Sequence, residues 1–66
     1  AGQTAKAIEA YQKALRINPE YARAWYNLGV VCKYEGQHNR VLEIYRQLKK
    51  VSPKDADKFF TKVVLP

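Results

Sequence analysis

Pro19 and Pro53 stand 34 positions apart, and the residues around them repeat in step. A period of this length means stacked copies of one supersecondary unit, because a single copy cannot bury its own apolar face. Sliding Gly2-Gln3 forward by one period lands on Gly36-Gln37, and the same shift takes Glu9 to Glu43, Tyr11 to Tyr45 and Ala22 to Ala56. Similar residues fall in the same frame: Lys6 over Arg40, Ile8 over Leu42, Ile17 over Val51, Trp25 over Phe59 and Tyr26 over Phe60. Gly, Pro and aromatic residues each answer a different backbone or packing need, so their joint agreement is specific. It lapses after Phe60, where Leu28-Gly29 would fall on Lys62-Val63.

A chain of 66 residues makes one small domain, which buries only about 60% of the surface its unfolded form exposes. A hydrophobic fraction of 47% with three Gly and three Pro is globular rather than disordered. No apolar run approaches the roughly 20 residues needed to cross a bilayer, and nothing at the N-terminus reads as a signal peptide. The expectation is a cytoplasmic protein with no membrane partner. The chain begins on Ala-Gly rather than Met, as a piece of a longer protein would. One cysteine, Cys32, makes no internal disulfide, and with His38 as the one histidine there is no metal-ligand set of the usual spacing. No metal and no cofactor are expected. Twelve Lys and Arg against six Asp and Glu give a net charge of +6, which favours acidic partners.

Apolar residues recur at helical spacing in every segment, and none alternates with the period of two that a half-buried strand requires. The fold class is therefore all-α, with four helices. The first, over 4–17, puts Ala7, Tyr11, Ala14 and Leu15 on one face with Ile8 beside them. Asn18-Pro19-Glu20 then ends it and starts the next: Asn caps, Pro suits the first helical position, and Glu suits the positive end of the helix dipole. The second helix, over 20–34, carries Trp25, Leu28, Gly29 and Cys32 along one stripe. Gly29 costs about 1 kcal/mol relative to Ala inside a helix, so close approach of a neighbouring helix, with a small residue opposite, is expected to offset it. Gly36 stops this helix, and the third, over 38–50, is apolar at Val41, Leu42, Ile44, Tyr45, Leu48 and Val51. Ser52-Pro53-Lys54 repeats the punctuation, and a fourth helix over 54–64 buries some of Ala56, Phe59, Phe60, Val63 and Val64. Pro66 ends the chain. Connections this short make consecutive helices antiparallel neighbours.

Together these residues resemble the tetratricopeptide repeat family, whose helix-turn-helix unit has Trp, Leu, Gly and an aromatic in its first helix. Ala, an aromatic and Ala follow in its second, and Pro closes it. Trp25, Leu28, Gly29, Tyr45 and Pro53 stand at those positions, with Val41 and Leu48 where the family usually has Ala. Gly2, Ala7, Tyr11, Ala14 and Pro19 occupy the second-helix positions of the unit before. Cys32 departs from the pattern, standing where the family commonly has an aromatic. The resemblance divides the chain into a second helix of a preceding unit (1–19), one full helix pair (20–53) and a capping helix (54–66). The unpartnered first helix is then expected to leave an apolar face open, and self-association through that face follows as a possibility to test.

Catalysis has little support. His38 sits at a helix start, Glu9, Glu20, Glu35 and Glu43 belong to separate segments, and Cys32 lies on the apolar stripe. There is no Gly-rich phosphate loop and no Ser-His-Asp pattern. The resemblance implies instead a scaffold that receives a peptide or protein segment in a concave groove, lined here by Arg23, Tyr26, Asn27, Val30, Lys33 and Tyr34. Family members that clamp the acidic tails of heat-shock chaperones use Lys and Asn in successive first helices; Asn27 fits, but Asp57 and Thr61 stand where Lys and Arg are wanted, so the clamp is incomplete. A second reading is nucleic acid, through the basic line Lys54, Lys58 and Lys62 joined by Lys49, Lys50 and Arg46. Aromatic residues are not interleaved with those lysines, and a solvated helix face explains them more simply.

Overall fold

A computed structural model describes residues 2–65, whose regular structure is all helix joined by short turns. Ala1 and Pro66, the expected ends of the domain, lie outside the described residues. Helix α1 spans Gly2–Ile17, α2 Ala22–Tyr34, α3 His38–Val51 and α4 Pro53–Phe59; α4 runs on into a π-helical segment, Phe60–Val64. Helix α2 lies between α1 and α3, and α4 packs on both α3 and α2. The Cα envelope measures 30 × 28 × 15 Å. A thin axis of that size is what two layers of helices 8–10 Å apart produce. One layer holds α1 and α3, the other α2 and α4.

The turns follow from local chemistry, with two departures from expectation. Helix α2 starts at Ala22 rather than at Glu20, and Tyr21 is its N-cap residue without a side-chain bond. Asn18 does not cap the helix: its Oδ1 accepts from the Glu20 amide at 3.2 Å, closing a local turn. Within that turn the Tyr21 amide donates to the Asn18 carbonyl, and the Pro19 carbonyl accepts from Trp25 Nε1 at 2.7 Å. Pro19 is thereby held outside the helix. Ser52-Pro53 behaves as expected, with Pro53 at the first helical position and Ser52 Oγ accepting from the Asp55 amide.

At the other end of α2, Gly36 has φ 73°, which only glycine adopts readily. The Gln37 amide bonds the Cys32 carbonyl at 2.9 Å and the Gly36 amide bonds the Lys33 carbonyl at 3.0 Å. These are the paired closing bonds of a Schellman stop. The fourth helix departs from expectation again, since the α-helix ends at Phe59 and the wider turn closes with the Leu65 amide on the Phe60 carbonyl.

The core is one cluster. Leu15 from α1, Ala24, Leu28 and Cys32 from α2, Val41, Ile44 and Leu48 from α3, and Ala56, Phe59 and Val63 from the last segment are all buried. Ile8, Tyr11, Ala14, Trp25, Tyr45 and Val64 pack half-buried around it. Of the apolar residues on the last two helices, Leu42 and Phe60 stay out of the core, 45% and 37% exposed. Phe60 rests on Tyr45, ring centroids 5.4 Å apart.

Gly29 meets something other than the small residue expected. A Cβ placed on it would overlap the Phe59 ring and come 3.1 Å from Ile44 Cγ2. A large aromatic, not a small partner, fills the space that glycine leaves open.

Candidate functional site

Helix α2 is the one element packed by both α1 and α3, and its side turned away from both, next to α4, is open to solvent. The six positions named for the groove, Arg23, Tyr26, Asn27, Val30, Lys33 and Tyr34, fall on that side, opposite Leu28 and Cys32 at 100° per residue. They differ in what they are free to do. Arg23 and Tyr34 are exposed, Tyr34 to 85%, and Asn27 and Val30 are half-buried. Tyr26 is half-buried and packs edge-on against Phe59, centroids 5.4 Å apart and planes at 79°. Lys33 Nζ donates to the Val63 carbonyl at 2.6 Å. Tyr26 and Lys33 therefore fasten α4 and the π-helical segment to α2, and the open part of the face is Arg23, Asn27, Val30 and Tyr34.

The fastening of Lys33 escaped the sequence reading because its acceptor is a carbonyl 30 residues away. Repeat position alone gave it a ligand role. Asp57 of α4 and Thr61 of the π-helical segment face solvent, and Thr61 Oγ1 donates to the Asp57 carbonyl. Lys54, Lys58 and Lys62 are exposed along one line of the last segment.

The remaining chemistry-bearing residues are structural or dispersed. Cys32 is fully buried. Burial pushes its thiol above the ordinary value of 9.0, and the Arg40 guanidinium beside it draws it back only in part. His38 is exposed at the start of α3. Among the described residues, no group of three or more His, Cys, Asp or Glu is gathered to hold a metal ion. No helix among them is long and apolar enough to cross a membrane.

Comparison with known proteins agrees with this geometry. A family described as TPR repeat matches residues 1–36, and one described as Tetratricopeptide repeat matches residues 22–55. The chain is 42% identical over 53 residues to the cytochrome c-type biogenesis protein CycH of Rhizobium meliloti, covering 80% of this chain and 14% of that protein. It is 32% identical over 59 residues to a UDP-N-acetylglucosamine–peptide N-acetylglucosaminyltransferase of Giardia intestinalis, covering 89% of this chain and 4% of the enzyme. An uncharacterized protein of Methanocaldococcus jannaschii is 32% identical over 44 residues, 67% of this chain and 51% of its own. The chain thus spans a small part of the first two relatives and about half of the third. No solved structure matches it. The family matches cover the repeat frame from the first helix through Pro53, and the helices pack as that frame requires. The chain belongs to the tetratricopeptide repeat family, whose units are generally non-catalytic modules for protein–protein interaction.

Proposed function

We propose that this chain is a non-catalytic scaffold that takes a peptide or protein segment on the outer face of α2. The observation that supports it is the open set Arg23, Asn27, Val30 and Tyr34, which α1 and α3 leave uncovered. A guanidinium, an amide, an aliphatic and a phenol on one line suit a segment with acidic and apolar side chains. The net charge of +6 draws an acidic segment in. Repeats of this family occur in relatives as different as a biogenesis protein and a glycosyltransferase, so the module is separable from any one chemistry.

A peptide-array screen with the full chain, followed by affinities for Arg23→Ala and Tyr34→Ala, tests the reading. Both variants are expected to weaken the hits, because neither side chain has a packing role. Unchanged affinity in both excludes this face. Tyr26→Ala and Lys33→Ala are poorer probes, since each also loosens the last segment.

Self-association is the second reading, supported by the partial exposure that Ala7, Ile8, Tyr11 and Ala14 retain on α1, although Ile8, Tyr11 and Ala14 also pack on the core. Stacking on another copy would bury that face. Sedimentation showing only monomer at high concentration would sink it. Nucleic acid on Lys54, Lys58 and Lys62 has no comparable support, and we read that line as a solvated face.

A further inference from the structure

Helices α1 and α3 share a layer, yet their backbones nowhere approach within 8 Å. The gap between them is a groove of about 970 Å³, with the half-buried Trp25 of α2 as its floor and the buried Leu28 and Cys32 just beneath it. These residues lie on the side of α2 turned away from Arg23, Val30 and Tyr34, so this groove and the proposed peptide face are on opposite surfaces. Its volume is in the range of cavities that hold ligands.

The walls are strongly one-signed. Arg16 of α1 and Arg40, Arg46, Lys49 and Lys50 of α3 line it, all exposed, against one carboxylate, Glu43. Five of the twelve Lys and Arg are thus gathered on one groove. Between them the inner surface is apolar, from Leu15, Leu28 and Ile44, and the aliphatic stems of the cations extend it. Like charges gathered on one groove repel, and a line of carboxylates between them relieves that repulsion.

We propose that this second groove docks an acidic peptide segment, which lays an apolar side chain against Trp25 and Leu28 while its carboxylates meet Arg16 on one wall and Arg46 and Lys50 on the other. The floor chooses peptide over nucleic acid. Bases bind such basic grooves by stacking on exposed rings, and the one ring here, Trp25, is half-buried with its Nε1 committed to the Pro19 carbonyl.

Trp25 is the chain's one tryptophan, so its emission reports occupancy directly. The probe is a short fluorescein-labelled peptide of Glu and Asp with leucine at every third or fourth position, titrated into the full chain at low salt. Saturable binding with a change in Trp25 emission is expected. Arg16→Glu combined with Arg46→Glu should weaken it about tenfold or more, as reversal of surface charge pairs at this scale implies. Arg23→Ala with Tyr34→Ala should leave it unchanged. Circular dichroism confirms the fold of each variant, and the milder Arg46→Gln with Lys50→Gln gives the same direction if charge reversal disturbs helix packing.

The proposal is overturned if the peptide does not bind, or if it binds equally to the charge-reversed chain. It is likewise overturned if binding is lost through the Arg23 and Tyr34 changes, if a leucine-to-serine peptide binds as well, or if single-stranded oligothymidylate binds more tightly. A concentration-dependent Trp25 change without peptide would identify a second copy as the occupant instead.

Discussion

The Phe59 ring occupies the volume that a side chain at Gly29 would need, and it does so while fully buried. This one relationship fixes how closely α4 lies on α2, because Tyr26 meets the same ring edge-on from the next turn of α2. The glycine is therefore a receptor for an aromatic, and the tolerance of either position depends on the other.

Gly29→Ala should destabilise the chain despite improving helix propensity. The propensity gain is about 1 kcal/mol, whereas overpacking a filled core costs about 1–3 kcal/mol. Urea unfolding should show a lower midpoint for Gly29→Ala. Adding Phe59→Leu should recover part of the loss, so that the pair is less destabilised than the two single changes combined.

Lys33→Met keeps the aliphatic stem and removes the bond to the Val63 carbonyl. The expected loss is about 1 kcal/mol, and it should be local. Hydrogen exchange should speed up most at the amides from Phe60 to Leu65, with α1 changed least.

The repeat frame was legible because its signals are local: Pro53 at a helix start, Gly36 in a left-handed stop, and the Trp25, Leu28, Cys32 stripe all speak through their own backbone. The start of α2 was misread for a reason that is also instructive. Asn18-Pro19 and Ser52-Pro53 look alike in sequence, but the Asn18 side chain reaches back only two residues and Trp25 claims the Pro19 carbonyl. The site was legible as a face and not as a set of free groups. Repeat position placed Tyr26 and Lys33 on it, while their partners Phe59 and Val63 come from a distant segment whose π-helical winding no residue pattern announced.

Gly36→Ala forces a Cβ into the left-handed region at φ 73°, in open space where no contact compensates. A loss of about 1 kcal/mol is expected from backbone strain alone. Thermal unfolding should detect it, and D-alanine at the same position, introduced by chemical synthesis, should restore stability.

The raised pKa of Cys32 makes its ionisation and folding compete, burial being the main cause. Below the ordinary thiol value of 9.0 both states hold the proton and this contribution to stability is fully present. As pH climbs past that value the unfolded chain ionises first, so stability falls with rising pH and the contribution is lost once the folded thiol titrates too. Urea midpoints measured on either side of pH 9.0 should decline for the native chain and not, through this group, for Cys32→Ala. At neutral pH the thiol should react with maleimide only as fast as the chain opens.

The central claim is that the outer face of α2 receives a peptide segment. Amide shift mapping of the isotopically labelled chain, titrated with the strongest array peptide whose binding survives Arg16→Glu with Arg46→Glu, tests it most directly. The account predicts perturbations centred on Arg23, Asn27, Val30 and Tyr34, with smaller ones at Tyr26 and Lys33. Perturbations that miss these residues and gather on α1, or no saturable shift with any array peptide, would contradict it.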